Sequence, residues 1–163
     1  MKHIAFLSIG SNIGDRLGNC KKAIECLVDN KNIKLIKASS FYETEPWGDR
    51  EQAWFINCVI EIETEIDVKT LLALTLNIEK ELGRNSVEKG GPRIIDIDNL
   101  FSDGEVIESG GLIIPHPLLH KRRFVLTPLH EIAPDFTHPV LGLSVAELLR
   151  QVDDNKKIIR CKN

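Results

Sequence analysis

The stretch Trp54–Glu63 constrains this chain more than any other: Trp54, Ile56, Cys58, Ile60 and Ile62 alternate strictly with Phe55, Asn57, Val59, Glu61 and Glu63. A period of two belongs to a pleated strand, in which successive side chains point to opposite faces, and no helix gathers the first set on one side. The second set must share the other face. Phe55 and Asn57 are therefore neighbours on one surface of a sheet, whatever its remaining strands are.

The rest of the chain supplies partners for that strand. His3 to Ile9 is an apolar run that stops at Gly10-Ser11-Asn12, and beyond Asp15 an amphipathic helix runs to about Asn30. Ile33 to Tyr42 reads as a strand entering the turn-rich Glu45-Pro46-Trp47-Gly48-Asp49. Asp67 is placed to cap a helix carrying Leu71, Leu72, Leu76, Ile78 and Leu82, with Gly83 as its stop. Arg84 to Pro92 reads as a mobile loop, Arg93 to Phe101 as a strand, and Asp103-Gly104 as the hairpin turn closing it. Leu112 to Ile114 is a further strand broken by Pro115-His116-Pro117; Leu118 to His130 is helical with an interruption at Pro128, and Ser144 to Glu147 forms a capping box for a last short helix. The order β-α-β-β-α-β predicts an α+β, ferredoxin-like sandwich with a mainly antiparallel sheet and helices packed on it.

Size and charge bound the function. At 163 residues the chain suits a single domain spanning 1–163, and a net charge of -3 points away from nucleic acid as a partner. No apolar stretch approaches the roughly 20 residues of a membrane span, and the opening sequence turns polar too early for a secretion signal, so a cytoplasmic protein is expected, with a monomer as the default. Cys20, Cys26, Cys58 and Cys161 form no C-x-x-C pair, and His116 and His120, four apart, lack a third zinc ligand.

The chemistry concentrates around Asp96 and Asp98. Two residues apart on a strand, they share a face about 7 Å from one another, and two carboxylates that close suit a divalent cation. Magnesium is the natural choice, since it prefers few carboxylates together with waters and substrate phosphates. Arg84, Lys89 and Arg93 precede the pair, and Arg122 and Arg123 follow later, a set fitted to phosphate oxygens. His116, placed by Pro117 just outside a predicted helix, is free to bond a ligand. Neither G-x-x-x-x-G-K-[ST] nor G-x-G-x-x-G occurs, which excludes the P-loop and Rossmann nucleotide folds.

Taken in order, Ile9-Gly10-Ser11-Asn12, Ser40 to Pro46, Phe55-Ile56-Asn57, Gly91 to Asp98, His116-Pro117 through Arg122 and Phe124, Pro128-Leu129 and Glu131 to Pro134 closely resemble the 6-hydroxymethyl-7,8-dihydropterin pyrophosphokinases of folate biosynthesis. The resemblance implies transfer of the β,γ-diphosphate of ATP to the pterin hydroxymethyl group, with release of AMP and with two magnesium ions held by Asp96 and Asp98. It implies Arg84 and Arg93 in catalysis, Glu79, Arg84, Arg93, His116 and Arg122 around ATP, and Thr44, Glu45, Pro46, Trp47, Phe55, Asn57 and Phe124 around the pterin. Two positions depart from the family pattern: Gly90 stands where many members carry tryptophan, and Asn99 where an aliphatic residue is usual. They motivate the alternative of a non-catalytic pterin- or nucleotide-binding protein on the same scaffold.

Overall fold

The computed structural model describes residues 1–47, 51–84 and 91–162. The alternating segment forms β4 (Phe55–Thr64), which lies between β1 (His3–Ser11) on one side and, on the other, β2 (Ile33–Ala38) and β3 (Tyr42–Thr44) set end to end. β5 (Asp96–Ser102) flanks β1, and β8 (Ile158–Arg160) flanks β3, giving the order β5-β1-β4-β3-β8 with β2 beside β4. Every pairing among these strands is antiparallel, as expected for the ferredoxin-like order.

The two faces of β4 build two cores. Ile56, Cys58, Ile60 and Ile62 join Leu7, Ile9 and Ile97 beneath α1 (Arg16–Val28) and α2 (Val68–Glu81), which contribute Cys20, Ala23, Leu27, Leu71 and Ile78. Asp15 caps α1 through the Gly18 amide at 3.0 Å, and Asp67 caps α2 through the Thr70 amide at 2.8 Å. On the opposite face Phe6, Val59, Leu100 and Phe101 pack against α3 (Arg123–Ile132) and α4 (Val145–Gln151). These two helices cover only part of that face, and the uncovered part carries Phe55, Asn57, Asp96 and Asp98.

The structure corrects several expected boundaries. The strand expected over Ile33–Tyr42 is split, because Ser39 turns to bond Val59, its amide donating to the Val59 carbonyl and its hydroxyl accepting the Val59 amide, both at 2.9 Å. The strand expected from Arg93 begins only at Asp96, since the Arg93 amide and carbonyl are both taken by Asn12. Asp103-Gly104 does not close a hairpin. β6 (Ile107–Ser109) and β7 (Leu112–Ile114) pair instead across Gly110-Gly111, whose φ values of 57° and 85° make the turn that such a two-residue connection needs. Pro128 does not interrupt α3: burial of Val125, Leu126, Leu129 and Ile132 outweighs one lost backbone bond, and the break falls at extended Arg122, after a 3-10 turn at Leu119–Lys121.

Asn99 is the one departure from the family pattern that falls on described residues. It pairs with Leu7, and neither its amide nitrogen nor its amide oxygen has a partner among the described residues, although both are buried. A buried, unpaired amide costs roughly 1–3 kcal/mol. Asn99→Val is expected to raise the thermal unfolding midpoint by several degrees, and an unchanged or lower midpoint would mean that the amide is satisfied in solution. Gly90, the other departure, lies outside the described residues.

Candidate active site

The uncovered sheet face opens into a cavity of about 550 Å³ whose lining residues range from Ser8 to Phe124. The antiparallel register lays its chemistry out in one row, in which Asp96 of β5 faces Gly10 of β1 and Gly10 faces Asn57 of β4. One row further along, Asp98 faces Ser8. Carboxylates therefore stand at one end of the cavity and the ring and amide of Phe55 and Asn57 at the other, with β1 as the spacer.

At the acidic end, Asp96 is held by two guanidinium groups, Arg84 at 3.0 Å and Arg93 at 2.9 Å on its two oxygens. Arg84 also pairs with Glu79 at 2.9 Å, and Glu79 accepts the Ile97 amide at 2.7 Å. Glu79 is buried behind the cavity wall, and burial raises its pKa. Asp98 is pushed up to about 7, first by burial and then by the charge of Asp96, with Arg122 opposing. Burial, followed by the charge of Arg122, lowers His116 to about 4, so it is neutral at pH 7; its Nδ1 accepts the Leu118 amide at 3.1 Å, which leaves the proton on Nε2 as a donor.

Arg93 Nε and Arg122 Nε are buried donors without a partner among the described residues. Orphan guanidinium donors beside two carboxylates fit phosphate oxygens, and a cation fits Asp98, whose ionised form is disfavoured by burial and by Asp96. Three carboxylates, Glu79, Asp96 and Asp98, stand among three arginines, 84, 93 and 122. A divalent ion beside Asp98 would favour its ionised form. No cluster of three or more metal-ligating side chains occurs among the described residues.

At the other end, Asn57 donates to the Thr44 hydroxyl at 2.6 Å. The Arg122 guanidinium lies 4.8 Å from the Trp47 ring and 5.7 Å from the Phe124 ring, bridging two aromatic walls. These walls, with Phe55, make a slot for a flat group, and Asn57 and Thr44 offer directed hydrogen bonds at its edge.

Of the residues singled out in the sequence, Thr44, Glu45, Trp47, Phe55, Asn57, Arg93, Asp96, Asp98, His116, Arg122 and Phe124 all line this one cavity. Pro46, Glu79 and Arg84 do not; Arg84 reaches the site through Asp96. The expected mobile loop, Arg84 to Pro92, falls mostly on residues 85–90, and Gly48 and Asp49 of the turn-rich stretch fall within residues 48–50, outside the described residues.

Sequence reasoning did not assign roles to Ser8, Gly10, Asn12, Gln52 or Leu118. Asn12 is buried and ties the site's edges together, bonding Gln52 at 2.8 Å, the Ala53 carbonyl at 3.0 Å and the Arg93 amide at 2.7 Å. Gly10 had a readable signal, since glycine inside a strand marks close approach. A Cβ there would collide with Asn57 Oδ1. Gly10→Ala is accordingly expected to displace the Asn57 amide and weaken binding in the slot by about tenfold with little change in fold, measured by ligand titration alongside circular dichroism.

A ferredoxin-like sandwich whose open face sets an acid pair and arginines beside an aromatic slot has the charge for phosphate groups and the shape for a flat heterocycle. Residues 6–134 match the family model of 7,8-dihydro-6-hydroxymethylpterin-pyrophosphokinase (HPPK), and the chain belongs to that family. It is 42% identical over 149 residues to the 2-amino-4-hydroxy-6-hydroxymethyldihydropteridine pyrophosphokinase of Methylorubrum extorquens, covering 91% of this chain and 93% of the relative. The protein of the same name from Bacillus subtilis is 45% identical over 132 residues, 81% of this chain and 79% of the relative. A crystal structure of HPPK-DHPS in complex with substrates has the same fold, with a TM-score of 0.74 at 15% identity over 92% of this chain and 43% of that one.

Proposed function

We propose that this chain transfers diphosphate from ATP to the hydroxymethyl group of 6-hydroxymethyl-7,8-dihydropterin, releasing AMP, as a step of folate biosynthesis. The observation that carries the reading is the Asp96-Gly10-Asn57 row, which sets the acid pair and the heterocycle slot at opposite ends of one cavity. The pterin would lie between the Phe55, Trp47 and Phe124 rings with its edge on Asn57 and Thr44, and its hydroxymethyl group would point along the row toward the acid pair. Arg93, His116 Nε2 and Arg122 would hold the polyphosphate. The new bond joins the hydroxymethyl oxygen to the β-phosphorus as the bond from that phosphorus to the α-phosphate oxygen breaks, AMP leaves, and the hydroxyl proton is released to solvent.

Magnesium, two ions with ATP, is the cofactor of this reading, with Asp96 and Asp98 as its protein ligands; bound there it would neutralise charge on the transferring phosphates. Arg84 and Arg93 occupy Asp96 in the ligand-free chain, so ATP oxygens would draw these arginines off the carboxylate as they bind. Glu79 keeps Arg84 close by for that exchange. The reading takes the enzyme as a monomer and places it in the cytoplasm; among the described residues no helix is long and apolar enough to cross a membrane.

The non-catalytic alternative is disfavoured by the family and by the retention of Asp96, Asp98, Arg93, His116 and Arg122 around one cavity. Incubation of the purified chain with ATP, the reduced pterin and magnesium is expected to release AMP in step with the pterin diphosphate. Release of ADP or free phosphate instead, or of nothing, would overturn the reading.

A further inference from the structure

The segment that follows α4 touches both walls of the heterocycle slot. Asp154 Oδ2 accepts the Arg123 amide at 2.9 Å, and the Asp154 carbonyl accepts Arg123 Nη1 at 3.5 Å. Three residues later Lys157 pairs with Glu45 in both directions, the Glu45 amide donating to the Lys157 carbonyl and the Lys157 amide to Glu45 Oε1, each at 3.0 Å. β8 then runs antiparallel to β3, with Ile158 facing Thr44 and Arg160 facing Tyr42, and the Cys161 amide ends the ladder on the Phe41 carbonyl at 2.8 Å.

The first anchor answers a defect in α3. Its N-cap is Arg122, whose side chain makes no capping bond, and Arg123 adds a second cation in the first turn, where the helix dipole disfavours positive charge. Arg122 stands in the cavity rather than on the helix end, so the cap comes from elsewhere, and Asp154 supplies both the acceptor and the negative charge. Asp154 is itself held in place by the Lys156 amide, which donates to its Oδ1 at 3.0 Å.

The two anchors serve different walls. α3 carries Phe124, with Arg122 at its N-cap, while β3 and the residues after it carry Thr44, Glu45 and Trp47. Between Asp154 and Lys157 the chain spans at most about 10 Å, so the distance between these walls is set by a short covalent link.

We propose that Asp154–Arg160 is a strap that fixes the width of the heterocycle slot, with Asp154 as its positioning residue. The inference rests on the reading that the slot takes a pterin. Loosening the strap removes the preorganisation of both walls at once, which weakens binding of the flat ligand while leaving the acid pair, Arg84 and Arg93 in place. Loss of one capping interaction corresponds to about a fivefold weakening.

The test compares the wild-type chain with Asp154→Ala, Asp154→Asn and a chain ending at Asp153, each checked for an intact thermal transition. Binding of 6-hydroxymethylpterin is titrated calorimetrically with magnesium and a non-hydrolysable ATP analogue present, and KM for each substrate and kcat are measured separately. Asp154→Ala should weaken pterin binding about fivefold and the shortened chain more than tenfold, with kcat within about twofold of wild type and the ATP KM, which senses the strap only through Arg122, rising by less than half as much as the pterin dissociation constant. Asp154→Asn, which keeps a capping oxygen, should restore most of the loss. Parallel loss of pterin and ATP affinity, or wild-type pterin affinity in Asp154→Ala, would overturn the strap. A wild-type chain that binds pterin but releases no AMP overturns the proposed function alone, and one that binds no pterin overturns both.

Discussion

Replacing Asp98 with asparagine is expected to abolish AMP release and, in the same molecule, to raise the stability of the ligand-free chain above pH 7. Catalysis should fall roughly 10³-fold, because under the proposed function one of the two carboxylates that would hold the divalent ion is lost. Stability should move the other way. Burial and Asp96 raise the Asp98 carboxyl from 3.8 to about 7, so the folded state holds its proton across a range in which the unfolded chain has released it. The stability that this protonated carboxyl contributes is therefore lost as pH rises through that window, and the full cost of a buried carboxylate is felt above it. Asparagine resembles the neutral form at every pH. The midpoints of variant and wild type should nearly coincide near pH 4, separate toward pH 7 and stay apart beyond it. His116 titrates in the same window with the opposite sign, since its pKa is lowered to about 4, but it does so in both proteins and cancels in the difference. AMP release within tenfold of wild type would remove Asp98 from the proposed cation site, and a lower midpoint at pH 8 would show that its charge is compensated in the folded chain.

Phe124→Ala should weaken pterin binding roughly 10- to 100-fold and ATP binding by threefold at most. Stacking of a flat heterocycle on an aromatic ring is worth about 1–3 kcal/mol, and the Phe124 ring forms one wall of the slot. The ring also packs at the margin of the core beneath α3, so alanine removes packing as well as stacking. Phe124→Leu separates the two effects, since it retains apolar volume without a π-face. If leucine restores the thermal midpoint but leaves pterin binding weak, the ring acts by stacking. If leucine restores pterin affinity fully, Phe124 is a packing residue and the aromatic slot loses a wall.

The parts of this site that were legible in the sequence are those governed by local periodicity. Phe55 and Asn57 share a face because a strand repeats every two residues, and the same rule brings Asp96 and Asp98 together. The caps at Asp67 and Ser144 were legible because a capping side chain bonds an amide only two or three residues away. Family resemblance then joined the scattered residues into one site, and most of them line one cavity.

Other features depend on partners far away in the chain, where no local pattern announces them. Asn12 holds Arg93 across 81 positions, and Asp154 caps a helix whose first residue lies 31 positions earlier. β8 is too short to read as a strand alone and exists because β3 offers it an edge. The hairpin turn expected at Asp103-Gly104 formed at Gly110-Gly111, since turn chemistry permits a hairpin but strand pairing selects it. By itself, then, the sequence determined which side chains share a strand face and where two helices begin, because those follow from the backbone repeat. Only the tertiary structure decided that Asp96 is held by Arg84 and Arg93, that Gly10 must stay bare beside Asn57, and that one short segment links both walls of the slot, because each depends on which strands and loops meet once the two cores are buried.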